Sequence, residues 1–436
     1  MNKYKLRYES YKDSGVEWLG QIPSHWGIKK LNSILTVKSE KNSPDLPLLS
    51  VYREYGVILK DSRDDNHNAA ALDLSGYKIV KNGDFVINKM KAWQGSMGVS
   101  QYHGIVSPAY ITCNIDYNIM YARYLHALLR CSSYIGEYNR LSYGIRIGQW
   151  DMHFEDFKNI TLCIIPIEEQ QRIADFLDKK TAQIDEAIAQ KEKMIELLKE
   201  YRQVTINNAV TKGLDPNVPM KDSGIEWLGQ IPTRWEVKKL KFILTEKLKY
   251  GANESGIDYS EKLPRYIRIT DFGNNGKLSD VNKLSLPTHI ANDYLLKDGD
   301  ILFARSGGTV GKSYQFRNNI SYDESYCFAG YLIKASANEQ IILSDFLYLY
   351  TNSPLFYLWK DFIFNKATIE NIGADKYAQL PVIIPPINEQ KQIVEYLDNI
   401  TNKIEAAITC KQSEIEKLKE YKATLIDSAV TGKIKV

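Results

Sequence analysis

Residues Lys12 to Leu31 read KDSGVEWLGQIPSHWGIKKL, and residues Lys221 to Leu240 read KDSGIEWLGQIPTRWEVKKL. Fifteen of the twenty positions are identical at an offset of 209. Two of the differences, Val16/Ile225 and Ile28/Val237, keep shape and polarity. Self-similarity on this scale makes the chain a duplication, and every later reading has to respect it.

A second repeated segment lies downstream of each copy. Glu169-Gln170 matches Glu389-Gln390, Lys199-Glu200-Tyr201 matches Lys419-Glu420-Tyr421, and Ala209-Val210-Thr211 matches Ala429-Val430-Thr431, all at an offset of 220. The eleven-residue change of offset means that the second variable stretch is the longer one. The order is constant segment, variable stretch, constant segment, given twice. This predicts four parts: 1–165, a first conserved segment with its variable domain; 166–212, a central long helix; 213–385, the second segment and variable domain; and 386–436, a C-terminal long helix.

The two downstream segments carry a helical period. Ile173, Leu177, Lys180, Ile184, Ile188, Lys191, Ile195, Leu198, Arg202 and Thr205 are spaced by three or four residues throughout, the seam of a coiled coil. Ile393, Leu397, Ile400, Ile404, Ile408, Lys411, Ile415, Leu418, Lys422 and Leu425 repeat it position by position. Pro166 and Pro386 stand just upstream, and Glu168, Glu169 and Glu389 fall in the first turn, where the helix dipole favours acids. Gly213 with Pro216, and Gly432, supply the stops. A helix over about 168–208 is roughly 60 Å long at 1.5 Å per residue, and a narrow apolar stripe of that length needs a partner. The expectation is an antiparallel coiled coil of the two copies. The C-terminal AVTGKIKV would then return beside the N-terminal KDSG and imitate the central AVTKG…KDSG junction, giving a pseudo-circular chain with an approximate two-fold axis. The alternative is that each helix packs only on its own domain.

Composition bounds the function. The chain has 436 residues, long enough for two or three domains. No run of about 18 apolar residues predicts a membrane span. The N-terminal MNKYKLRYESYKDSG lacks the apolar core of a signal peptide. The five cysteines are scattered with no CxxC, which argues against a disulfide framework and fits a reducing cytoplasm. The formal charge is +3, with 14 basic against 13 acidic residues in 32–165 and 16 against 16 in 241–384. Charge balance therefore gives no support to nucleic-acid binding, and any basic face must come from placement.

The variable stretches are mixed α/β. Strands are predicted at Asp84–Ile87, Ile160–Ile165, Ile301–Phe303 and Val382–Ile384, and helices at Tyr121–Leu129 and Leu343–Thr351. Each copy has a Gly-Asp ahead of an apolar strand, Gly83-Asp84 and Gly299-Asp300, followed by a polar loop. The loops differ: Asn88 to Gly95 reads NKMKAWQG, whereas Ala304 to Lys312 reads ARSGGTVGK. One scaffold with two loop sets suits the reading of two targets.

Catalytic signals are thin. SGGTVGKS at Ser306–Ser313 comes close to a phosphate-binding loop, but Ser306 stands where that pattern needs glycine. The residues that follow, Tyr314 to Ile320, alternate like a strand instead of opening a helix. The six histidines form no pair at metal-ligand spacing. Neither GxSxG nor HExxH occurs, and no methyl-donor loop is recognisable.

Taken together, the duplicated DSGxEWLGxIPxxW segment, the Gly-Asp strand–loop units and the PxxEQ-led helices ending in AVT resemble the specificity subunit of Type I restriction-modification systems, over nearly the whole chain. The resemblance implies two target recognition domains, held apart by paired helices, that read the halves of a bipartite double-stranded DNA site. It implies two methyltransferase subunits and restriction motor-nuclease subunits as partners. S-adenosylmethionine, ATP and magnesium would sit on those partners, with no active site in this chain. Candidate DNA-contacting residues are Lys89, Lys91 and Gln94 in the first loop of copy 1, and Arg305, Ser306 and Lys312 in copy 2. Tyr143, Arg146 and Gln149 belong to a second loop, Ser142–Gln149, whose counterpart, Asn365–Glu370, contributes Lys366 and Thr368. Arg and Lys suit guanine edges and phosphates, and Gln suits adenine. Trp18, Trp26, Trp227 and Trp235 read as packing anchors between domain and helices, with methyltransferase contact as a second reading. A non-DNA scaffold of two interaction domains on a coiled coil is the competing class.

Half-sites about one DNA turn apart, roughly 34 Å, fit between readers at the ends of such a rod. Deleting one matched heptad from both helices shortens the rod by about 10.5 Å. At roughly 3.4 Å per base pair, the gap in the recognised site should shrink by about three base pairs. Methylation persisting at the original spacing would rule out a helical ruler.

Overall fold

The structure is a computed structural model and describes residues 7–63, 73–144, 150–273, 276–306, 310–320, 323–364 and 371–436. Two compact units divide the chain. The first is Met1–Glu192 together with Gln412–Val436, and the second is Lys193–Lys411. Unit 1 is thus built from both ends of the sequence, as the returning C-terminal helix required.

The heptad segments are helices Ile167–Lys212 and Ile387–Val430. Within unit 1, Lys422 reaches Asp185 at 2.6 Å and Lys191 reaches Glu414 at 2.6 Å. Numbers rise along one helix as they fall along the other, so the helices pair antiparallel. Within unit 2, Arg202 pairs with Glu405, and Ile206 and Val210 share a core with Ile393 and Leu397, which is the same sense. Most of the seam's apolar positions are buried, among them Ile173, Ile184, Ile404 and Ile415, while Ile188, Leu198, Ile400 and Leu418 are half-buried. Its basic positions Lys191, Arg202 and Lys422 each cross to a carboxylate. These pairs are partly exposed and worth about 0–1 kcal/mol each, so they set register while the isoleucines and leucines supply adhesion.

Each unit has a four-stranded antiparallel sheet of one order. In unit 1 it runs Leu35–Lys38, Ile111–Ile115, Phe85–Ile87, Met97–Val99. In unit 2 it runs Lys249–Tyr250, Leu332–Ala335, Ile301–Ala304, Ser313–Gln315. The Gly-Asp motif begins the third strand in that order. Gly83 and Gly299 take φ of +95° and +86°, a left-handed turn that favours glycine. Asp84 and Asp300 then accept the backbone N–H three residues upstream, from Lys81 and Lys297. Each of these buried carboxylates also meets a buried lysine, Lys38 or Lys334. Beside its sheet unit 2 has a second, four-stranded one in the order Ile257–Asp258, Leu284–Ser285, Arg265–Ile267, Tyr326–Phe328, where unit 1 has two strand pairs, Leu49–Tyr52 with Gly56–Leu59 and Lys78–Val80 with Gly104–Val106.

The first repeated segment is a short hairpin, Tyr11–Asp13 with Gln21–Pro23, followed by strand Gly27–Lys30 paired to Thr161–Ile164. The second copy repeats this with Met220–Asp222, Gln230–Pro232, and Glu236–Lys239 paired to Pro381–Ile384. These pairings place Trp26 and Trp235, both 0% exposed, against the first turn of a long helix. Glu169 accepts the Trp26 indole N–H at 3.3 Å and the Tyr8 hydroxyl at 2.6 Å, and it pairs with His25 at 2.8 Å. Glu389 accepts the Trp235 indole N–H at 2.9 Å. The reading of both acids as dipole partners is therefore incomplete. Glu168 is exposed, while Glu169 and Glu389 are indole acceptors.

Gln170 and Gln390 are 0% exposed and do the same work twice. Gln170 accepts the N–H of Tyr121 and donates to the carbonyls of Ile119 and Ile165, each at 2.8 Å. Gln390 accepts the N–H of Leu343 and donates to the carbonyls of Ile341 and Pro385.

The helix ends are repeated as well. Val210 and Val430 are fully buried, and Gly213 and Gly432 end the helices at φ +77° and +76°. A Cβ on Gly432 would lie 2.9 Å from the Trp26 ring and 2.4 Å from Pro23, and one on Gly213 3.2 Å from Trp235. In unit 1 the Val430 carbonyl accepts the Tyr124 hydroxyl at 3.1 Å, and that of Gly432 accepts Tyr11 at 3.2 Å. Each tryptophan therefore sits between the start of one long helix and the end of the other. Trp26 and Trp235 are packing anchors. Trp18 and Trp227 are half-buried, and Trp18 sits edge-on to Tyr134 at 4.8 Å.

Replacing Gln170 by Leu orphans one N–H and two carbonyls in a buried place. Unfolding free energy should fall by roughly 2–4 kcal/mol, against within about 0.5 kcal/mol for Glu168→Ala on the exposed side of the same turn. Denaturant melts of the full chain check both. Burial raises the Glu169 pKa, but the hydrogen bonds from Tyr8, His25 and Trp26 together hold it below the ordinary 4.5. A lowered folded-state value contributes stability above the unfolded pKa, and this is lost as pH falls through the folded value. Wild type should therefore lose more stability than Glu169→Gln as pH drops below about 4.5.

Candidate nucleic-acid interface

In both units the strand after the Gly-Asp turn runs out into the loop proposed to read a target. In unit 1 that loop is a 3₁₀ turn, Lys89–Gln94, closed by Gly95. Lys91 is exposed, Gln94 half-buried, and Lys89 pairs with Asp151 at 3.3 Å. The residues that follow the second proposed loop come to the same place. The Met152 N–H donates to the Lys89 carbonyl at 3.2 Å, and the Trp93 and Trp150 rings meet edge-on at 5.0 Å. Tyr143, 58% exposed, stacks on His153 at 5.1 Å. Arg146 and Gln149 lie outside the described residues.

Unit 2 builds the corresponding edge with other side chains. The Ile372 N–H donates to the Arg305 carbonyl at 2.9 Å, the same backbone bond as Met152 to Lys89. Ser306 bridges to Asn371. The Arg305 guanidinium lies 5.0 Å over the Tyr250 ring, a cation–π contact that orders a long side chain. Tyr250 in turn accepts the Ala374 N–H at 2.9 Å. Lys312 is exposed, and Ala304 donates its N–H to the Lys312 carbonyl at 2.8 Å. Lys366 and Thr368 lie outside the described residues. The segment after Lys312 is strand Ser313–Gln315, paired antiparallel to Ile301–Phe303. It opens no helix, so the phosphate-loop reading has no helix N-terminus to rest on.

The structure thus brings Lys89 and Tyr143 together in unit 1, both beside Asp151, and Arg305, Ser306 and Lys312 onto one edge in unit 2. It adds residues that sequence reasoning passed over: Met90, Trp93 and Trp150 in unit 1, and Tyr250, Tyr331 and Arg268 in unit 2. Trp93 lay inside the quoted loop, where an aromatic in an otherwise polar run was the available signal. Tyr250, Arg268 and Tyr331 come from distant strands, so no local pattern marks them.

Among the described residues no group of His, Cys, Asp and Glu is arranged to hold a metal ion, and no helix is long and apolar enough to cross a membrane. The chemistry on display is that of hydrogen-bond donors and flat rings: Lys, Arg, Tyr and Trp. Such groups recognise acceptor-rich, planar ligands.

Comparison with known proteins agrees. The specificity subunit of the Methanocaldococcus jannaschii Type I restriction enzyme MjaVIII is 28% identical over 64% of this chain and 63% of its own. That of StySPI from Salmonella potsdam is 25% identical over 66% and 61%. These matches span just under two thirds of those relatives. The Escherichia coli EcoDI specificity subunit is 21% identical over 87% of this chain and 82% of its own. Among solved structures, a chain from a type I R-M system superposes with a TM-score of 0.70 at 17% identity, covering 94% of this chain and 98% of that one. The HsdS subunit of Thermoanaerobacter tengcongensis gives 0.53 at 15% identity, covering 95% and 98%, so the fold is shared. The family model for the Type I restriction modification DNA specificity domain matches residues 23–197 and again 232–417. The chain belongs to that family and carries its domain twice.

Proposed function

We propose that the chain is the DNA sequence-specificity subunit of a Type I restriction-modification complex. Each unit reads one half of a bipartite double-stranded DNA site and directs adenine methylation, or restriction, by partner subunits. The observation that carries this reading is one edge built twice. The same sheet order, the same Gly-Asp turn and the same backbone bond between loops present Lys89, Lys91, Trp93 and Tyr143 in one unit. In the other they present Tyr250, Arg305 and Lys312. A scaffold kept constant under differing donor sets is what two different half-sites require.

The chain itself is non-catalytic in this proposal. Two methyltransferase subunits carry S-adenosylmethionine, and motor-nuclease subunits carry ATP and magnesium. The near-equal acidic and basic counts favour the scaffold alternative. They do not decide it, because base readout rests on a few placed groups more than on net charge.

Long-read mapping of methylated adenines, in cells with and without this chain and its methyltransferase partner, tests the proposal. A bipartite motif should appear only with the chain, and its absence would leave the scaffold. Exchanging residues 241–384 for another variable region should alter one half of the motif only. Independent readers are excluded if both halves change. Lys91→Ala should weaken DNA binding about equally across sequences and lower the salt slope by roughly one unit if Lys91 meets a phosphate. Titration at several salt concentrations reads this.

A further inference from the structure

Beside the reading edge of unit 2 lies a cavity of about 530 Å³ lined by Arg268, Ile269, Thr270, Phe272, Lys312 and Tyr331. It is tied to that edge through the backbone. The Arg305 N–H donates to the Tyr331 carbonyl at 3.1 Å, and the Lys312 carbonyl accepts from Ala304. Tyr331 is 63% exposed and Phe272 7%, so the floor is apolar and the rim polar.

Arg268 is held in an unusual way for a residue on such a rim. Its Nε and Nη2 donate to the two oxygens of Asp271 at 3.2 and 3.0 Å, and Nη2 also donates to the Asn282 carbonyl at 2.8 Å. Asp271 is 3% exposed and accepts the Arg268 N–H as well, at 2.7 Å. The guanidinium is therefore oriented before any ligand arrives, and the entropy of ordering it does not count against binding. Among the described residues Nη1 has no hydrogen-bond partner. The groups left over at the rim are Arg268 Nη1, the Lys312 ammonium, and the hydroxyls of Thr270 and Tyr331. Among the described residues the cavity lining holds no carboxylate, and Asp271 behind Arg268 is committed. A ligand for this cavity must therefore offer acceptors.

We infer that Arg268 and Lys312 are specificity-determining residues of unit 2, reading the acceptor edge of a guanine in its half-site. This rests on the DNA-reading function proposed above. In the major groove guanine presents N7 and O6, both acceptors, and Arg or Lys on guanine is the commonest specific contact. The other acceptor of DNA is phosphate, which positions without specifying. Fixation by a buried carboxylate favours the base. A phosphate contact needs charge in roughly the right place, whereas base readout needs a donor at a defined angle. Unit 1 departs here. Its corresponding strand, Leu49–Tyr52, pairs in parallel through Leu48 with Ile105, as Arg265–Ile267 pairs with Tyr326–Phe328. It leads to Tyr52, Tyr55 and Arg63, with the guanidinium 5.8 and 4.8 Å over the two rings. The effect should therefore be confined to the half read by unit 2.

The test maps methylated adenines in the genomic DNA of cells expressing the full chain with its methyltransferase partner. It compares wild type, Arg268→Ala, Arg268→Lys and Lys312→Ala, with co-purification of chain and partner as the check on folding. Lys312 is exposed, so its variant keeps the test sound should the Arg268 variants misfold. The expected result is roughly ten- to hundredfold relaxation at one guanine position of one half-site in each variant that co-purifies. Arg268→Lys should behave like Ala, because it keeps the charge and loses the Nη1 donor that Asp271 holds in place. An unchanged motif overturns the inference. So does a uniform loss at every position with full activity restored by Arg268→Lys, which marks a phosphate contact. Wild type yielding no bipartite motif defeats the underlying DNA-reading function instead, and that is seen before any variant is compared.

Discussion

Gln170 and Gln390 each satisfy three backbone groups that meet where a long helix leaves its sheet domain. A side-chain amide can both accept and donate, and few other residues could close such a junction without leaving a buried group unpaired. One residue earlier, Glu169 and Glu389 take the indole N–H of Trp26 and Trp235. Together these contacts set the direction in which each helix departs. The core of each unit depends on that direction, since the tryptophan that meets one helix's first turn also packs against the last turn of the other.

The tryptophans make the duplication mutual within each unit. Trp26 lies between the start of the central helix and Gly432 at the end of the C-terminal one. Trp235 lies between Gly213 and Glu389 in the same manner. The units therefore exchange chain: unit 1 is completed by residues 412–436 and unit 2 by the second half of the central helix.

Recognition is then a matter of edges. Buried carboxylates recur under or beside them: Asp84 and Asp300 at the start of the strands that lead into the variable loops, and Asp271 behind Arg268. Each is hydrogen-bonded to backbone as well as paired with a base, so none is an uncompensated charge. Their common effect is to hold turns and side chains in one geometry.

The long helices, their antiparallel pairing and the constant segments were legible in the sequence, because a period of three or four residues and a twenty-residue repeat are local signals that burial rewards directly. The strands after Gly83-Asp84 and Gly299-Asp300 were legible for the same reason, as was the strand that disqualified SGGTVGKS. What Glu169 and Gln170 do was not, since their partners Trp26, Tyr121 and Ile119 lie 49 residues or more away. Nor were the backbone bonds from Met152 to Lys89 and from Ile372 to Arg305, or the gathering of Tyr250, Arg268 and Tyr331 around Arg305 and Lys312. Hydrogen bonds between distant strands leave no periodic trace, because they are satisfied by backbone atoms that every residue carries. The sequence by itself determined that this is a duplicated chain with constant ends and differing variable loops. Only the tertiary structure decided which donors stand side by side on those loops, because the contacts that gather them join residues far apart in the chain.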